Sequence, residues 1–217
     1  MLLLIGLVHV LALARASASA PVPQPKAVPI EHGRGYAVVG PVAIEGQGGL
    51  RFLFDTGAEA SVISPRAAAR LGLKPQYRTE VVTAGGALLV PVTRAARLNV
   101  SGAELRDVEL LIFDPPEKTV DGALGQNVLS QFNYLLDYRR RLVVFDPEVA
   151  KTANAVPFEW VHGRAALKAE GPWAGNRQLI LDTGASDLVL FGFDGGTTGS
   201  VFLSTAAGYR SVREKSP

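Results

Sequence analysis

Short apolar runs separated by turn residues, with little helical periodicity, set the pattern of this chain. From about Val28 onward, apolar and β-branched residues gather over residues 36–39, 41–44, 51–54, 80–84, 87–92, 97–100, 108–113, 132–138 and 141–145. Runs of that kind, bounded by Gly, Pro, Asn and Asp, predict strands. Residues 46–49, Gly-Gln-Gly-Gly, predict a hairpin turn ahead of the strand that ends at Asp55. Gly85-Gly86 predicts a second hairpin and Arg139-Arg140-Arg141 a third. One short helix is predicted, with Ser64 as N-cap, Pro65 at the first position, a body over residues 66–71 and Gly72 closing it. The fold class is therefore all-β.

One charged residue breaks the pattern. Residues 51–64 read RFLFDTGAEASVIS, so Asp55 stands between two apolar runs, where an unpartnered carboxylate is costly. Alone, such an Asp is most simply a turn cap. Residues 178–191, QLILDTGASDLVLF, repeat the arrangement around Asp182. A wider repeat surrounds the two: Val28-Pro29-Ile30-Glu31 leads toward Asp55 as Val156-Pro157-Phe158-Glu159 leads toward Asp182. His32-Gly33-Arg34 and His162-Gly163-Arg164 fall inside it, which makes a structural role the better reading of both histidines. The first unit continues through residues 121–129, DGALGQNVL, and the second has no counterpart of that segment.

Composition narrows the chemistry. The 217 residues include no cysteine and three histidines, which excludes thiol catalysis and Cys-based metal sites and leaves no H-E-x-x-H spacing. A net charge of +2 without an extended basic cluster argues against nucleic-acid binding. Residues 1–20 read as a secretory signal peptide, with an uncleaved membrane anchor as the alternative, and residues 21–27 as a proline-rich linker. Export to a periplasm or beyond the cell is the expectation.

The carboxylates are left to carry the chemistry. Two of them held side by side cannot both ionise cheaply, so one keeps a proton while the other acts as base on a bound water. Gly57 and Gly184 allow close backbone approach, and the hydroxyls of Thr56 and Thr183 suit a link between two such turns.

On FDTGAEASVIS, on the hairpin at Thr83, Ala84, Gly85 and Gly86, and on DGALGQNVL, the chain resembles bacterial retropepsin-like aspartic peptidases, of the clan of retroviral proteases and pepsin. The resemblance implies an acid-protease-like closed β-barrel lobe with one short helix over residues 28–149, followed by a partial second lobe over residues 150–217. It implies an aspartic-type endopeptidase with Asp55 and Asp182 catalytic. Thr56, Gly57, Thr183 and Gly184 would support them, the hairpin at residues 83–86 would be the flap, and Ala123, Leu124 and Gly125 the brace. Ala58 and Ala185 match the retropepsin side of the clan; Glu59 departs from the usual Ser, and Ser186 conforms. Glu59 is expected to point to solvent.

The expected partner is a peptide or protein substrate, with no metal, no cofactor and no nucleic acid, and with the membrane only if the amino-terminal segment stays attached. Asp55 would pair with Asp182 of the same chain, or with Asp55 of a second copy in a homodimer through the first lobe. A catalytically silent peptide-binding module of the cell envelope is the alternative function. A purely structural envelope domain ranks last.

Overall fold

A computed structural model describes residues 26–33, 36–83, 86–146, 155–171, 175–185, 199–205 and 208–214. The expected signal peptide, most of the linker, Ala84 and Gly85 of the flap hairpin, and Ser186 lie outside these residues.

The chain folds as strands β1 (Lys26–Gly33), β2 (Tyr36–Ile44), β3 (Gln47–Phe54) and β4 (Val62–Ile63), helix α1 (Pro65–Arg70), then β5 (Tyr77–Thr83), β6 (Gly86–Val100), β7 (Ala103–Ile112) and β8 (Gly122–Leu124). Helix α2 (Gln126–Leu129) follows, then β9 (Tyr134–Asp137) and β10 (Leu142–Phe145). A three-stranded sheet comprises β11 (Glu159–Val161), β12 (Arg164–Gly171) and β13 (Gly175–Ile180), and a separate hairpin comprises β14 (Gly199–Thr205) and β15 (Gly208–Glu214).

The ten strands of the first sheet run in the order β5-β6-β7-β4-β8-β3-β2-β1-β10-β9. An extra pairing of β6 with β2, Val42 opposite Val100 and Ile44 opposite Leu98, closes a ring of β2, β3, β8, β4, β7 and β6 within this sheet. Ring closure removes most free strand edges.

The run Phe52-Leu53-Phe54 is apolar throughout because β3 is covered on both faces. Phe52 and Phe54 join a cluster with Ile44, Leu98, Leu110, Leu124 and Val143, while Leu53 points the other way, to Val38, Val62, Val92 and Ala123. All three are fully buried. Tyr134 and Phe145 of the β9–β10 hairpin pack on Phe54, with ring centroids at 4.9 and 6.4 Å.

Helix α1 starts as expected, the Ser64 hydroxyl accepting from the Ala67 N–H at 3.1 Å. Leu71 is its C-cap, and Gly72 follows with φ +70°.

Three expectations change. There are two short helices among the described residues, not one: α2 has four residues, too few to show a periodic apolar stripe. The hairpin before Asp55 turns on Glu45-Gly46, both at positive φ, rather than on residues 46–49. Gly48 and Gly49 instead belong to β3 and form a bulge there, the two of them opposite Ala43 where the register shifts between Val42 and Ile44. Residues 97–100 are not a separate strand but the end of the 15-residue β6, which bridges the flap hairpin and the ring. Thr93 midway along it stays buried because its hydroxyl donates to the Lys74 carbonyl at 2.9 Å.

Candidate active site

Strand β3 ends at Phe54 and delivers Asp55 at the rim of the ring. The Asp55 N–H donates to the Leu124 carbonyl at 3.0 Å, so the turn begins tied to β8. Strand β8 lies parallel to β3, Phe54 opposite Leu124, and antiparallel to β4, Val62 opposite Ala123. Its glycines are dictated by space. A Cβ at Gly122 would lie 2.1 Å from the Val62 carbonyl oxygen, and one at Gly125 would lie 2.6 Å from the Ala60 carbonyl carbon.

Past Gly125 the chain continues to hold the Asp55 turn. The Gln126 and Asn127 N–H groups, which open α2 and so have no partner within the helix, donate to Ala58 O at 2.8 Å and Glu59 O at 3.1 Å. The Gln126 side chain donates to Thr56 O at 2.9 Å. Asn127 Oδ1 accepts from both the N–H and the hydroxyl of Ser61, and the Ser61 oxygen in turn accepts from the Gly125 N–H at 3.0 Å. Sequence reasoning singled out Ala123, Leu124 and Gly125 but passed over Ser61, Gln126 and Asn127. The signal available was two amides directly after Gly125 in a strongly apolar neighbourhood.

The second Asp-Thr-Gly turn meets the first. Strands β11, β12 and β13 form an antiparallel sheet whose last strand runs into Leu181 and Asp182. The Thr56 N–H donates to Thr183 Oγ1 at 3.1 Å, and the Thr183 N–H to Thr56 Oγ1 at 3.0 Å. Each hydroxyl also donates across, Thr56 to the Leu181 carbonyl at 2.6 Å and Thr183 to the Phe54 carbonyl. Thr56 is 2% exposed, so these bonds are made away from water.

The carboxyls cross over between the turns. A Cβ at Gly57 would sit 2.2 Å from Asp182 Cγ, and a Cβ at Gly184 would sit 2.4 Å from Asp55 Cγ. Each Asp thus lies against the glycine of the opposite turn, and no larger residue fits either place. Asp55 Oδ1 accepts from the Gly57 and Ala58 N–H groups, both at 3.0 Å, and Asp182 Oδ1 from the Gly184 N–H at 2.8 Å.

The environments differ as much as the bonds. Asp55 is partly buried and Asp182 is exposed. Burial first, then the charge of Asp182, pushes Asp55 from its ordinary 3.8 up to about 7, against the downward pull of the Ala58 and Gly57 N–H groups.

The hairpin expected to be the flap, β5 with β6, pairs Thr83 with Gly86 and Val81 with Leu88. Val81 and Leu88 pack against the cluster that holds Leu53, Val62 and Ala123, while Val82 and Leu89 are exposed. Glu59 is exposed, as expected, but is not alone: Arg164 of β12 reaches it at 3.1 Å.

No curated protein matches the chain. Among solved structures, a retropepsin-like aspartic protease from Rickettsia conorii is 14% identical, with 57% of this chain and 96% of that one covered and a TM-score of 0.41. The EIAV protease complexed with the inhibitor HBY-793 is 22% identical, with 44% and 85% covered and a TM-score of 0.35. A family model described as aspartyl protease matches residues 39–128, the stretch that holds the ring, the Asp55 turn, the flap hairpin and the β8–α2 brace. Over that stretch the chain is similar to the aspartyl proteases.

Proposed function

We propose that the protein is an aspartic-type endopeptidase in which Asp55 and Asp182 of one chain activate a water against a peptide bond. The observation that carries this reading is the crossing of the two carboxyls, each seated against the other turn's glycine. Carboxyls that close share a proton, and the one raised to about 7 keeps it. Asp55 then donates that proton to the substrate carbonyl oxygen while Asp182, the more exposed, takes one from the water. The water oxygen bonds to the carbonyl carbon. The tetrahedral intermediate collapses with cleavage of the C–N bond: the amine leaves with the proton Asp182 had taken, and one hydroxyl of the intermediate returns its proton to Asp55 as the new carboxyl group forms. The threonine lock supplies the rigidity that such positioning demands. Residues 1–20 support action outside the cytoplasm, and no described helix is long and apolar enough to cross a membrane.

One observation favours a second reading, a silent peptide-binding module. Asp182 is exposed, and among the described residues no strand stands beside β13 as β8 stands beside β3. The two readings part on one experiment. Mature protein is incubated with denatured protein from acidic to neutral pH, with and without a pepstatin-type inhibitor. Inhibitor-sensitive internal cleavage supports the peptidase; peptide binding without cleavage at any pH supports the module.

A further inference from the structure

Asp121 is a charged residue at 7% exposure outside the two Asp-Thr-Gly turns, and it immediately precedes β8. Its side chain is fully engaged. Oδ2 accepts from the Arg51 N–H at 3.1 Å, and Oδ1 faces the guanidinium groups of Arg70 at 3.0 Å and Arg66 at 3.6 Å, both carried by α1. Its backbone is engaged too, the N–H donating to Arg51 O at 2.7 Å and the carbonyl accepting from Ser64 N at 2.8 Å. Asp121 therefore gathers β3, the N-cap of α1 and the exposed face of that helix onto one residue.

Three residues further on, the other end of the same strand takes the Asp55 N–H through the Leu124 carbonyl. A strand of three residues, fixed at both ends and with no Cβ space at Gly122, has no slack to absorb a shift at its start. We propose that Asp121 is a positioning residue for the Asp55 turn, its carboxylate clamping the start of β8 between Arg51 and α1 and so setting where Asp55 meets Asp182. This rests on the reading of the two aspartates as the catalytic pair. Asp121 touches neither of them and acts through Leu124.

The test compares Asp121→Asn with wild type. Asn keeps the shape and an acceptor for the Arg51 N–H but removes the charge that holds the two arginines. Displaced reacting groups lower turnover far more than binding. Asp121→Asn is therefore expected to lower kcat by about 10-fold or more with KM within about 2-fold, and to move the upper limb of the pH profile toward acid as the two carboxyls part. Arg70→Gln, which leaves Asp121 itself in place, is expected to move both readouts the same way by a smaller amount. A lower Tm with kcat and pH profile unchanged would overturn the proposal and leave Asp121 as packing alone.

A second readout does not depend on cleavage. The pH dependence of unfolding, compared between chains with Asp55 and with Asp55→Asn, isolates the titration of Asp55. Asp121→Asn is expected to shift that difference curve, and an identical curve in both backgrounds would overturn the proposal. Absence of cleavage by wild type would sink the peptidase reading while this curve still decides the role of Asp121.

Discussion

Asp55 shows how two effects on one carboxyl are ranked. Burial is the larger cause of its raised pKa and the Asp182 charge the second. Asp182→Asn is therefore expected to lower the Asp55 value only part of the way from about 7 toward 3.8, which carboxyl NMR titration would measure. A full return would reverse the ranking. The stability consequence follows from proton counting. Between about pH 4 and pH 7 the folded state holds a proton that the unfolded chain has lost, so stability declines as pH rises through that window. The loss is on the order of a few kcal/mol and should be absent in Asp55→Asn when urea unfolding is compared at pH 4 and pH 7.5. Activity should fall as pH rises through about 7, where folded Asp55 gives up its proton.

At the scale of elements, the brace is where sequence and structure differ most usefully. The Asp-Thr-Gly turns, the α1 cap at Ser64 and Pro65, and the hairpins about Gly86 and residues 138–141 were legible because each depends on neighbours in the chain. The interlock of β8 and α2 with the Asp55 turn was legible only as a family segment. Its bonds join residues 60 to 70 positions apart, such as Ser61 with Asn127 and Thr56 with Gln126, and no local pattern announces them. The turn at Glu45-Gly46 was misplaced for the opposite reason: three glycines nearby offered several turn positions, and the bulge at Gly48-Gly49 consumed two of them. Gly122 gives the sharpest test of the brace. A methyl group there meets backbone, the Val62 carbonyl, with nowhere to move. Gly122→Ala should cost about 3 kcal/mol by urea denaturation, at the upper end of ordinary overpacking, whereas an exposed-face change such as Arg78→Ala should cost under about 0.5 kcal/mol.

For the whole molecule, the question is what joins the C-terminal sheet to the ring. The Glu59–Arg164 pair, with Glu59 exposed and Arg164 half-buried, is a weak candidate, and Arg164→Ala should cost about 1 kcal/mol. The threonine lock is the stronger one, because its bonds are reciprocal and lie beside a fully buried hydroxyl. Thr183→Val removes the donor and acceptor together. It should depress cleavage by about 10-fold or more while leaving the unfolding midpoint of the ring within about 2 °C, since the ring's own cores lie on β2, β3, β6 and β7.

The central claim is that Asp55 and Asp182 of one chain form a single catalytic pair. Its most direct test is the cleavage rate of a denatured protein by Asp182→Asn beside Asp55→Asn, each alone and mixed in equal amounts. Both variants should lose at least about 10²-fold in rate, and mixing them should restore nothing. An Asp182→Asn chain that cleaves at the wild-type rate while Asp55→Asn is inactive would contradict the account and move the site to Asp55 of two copies.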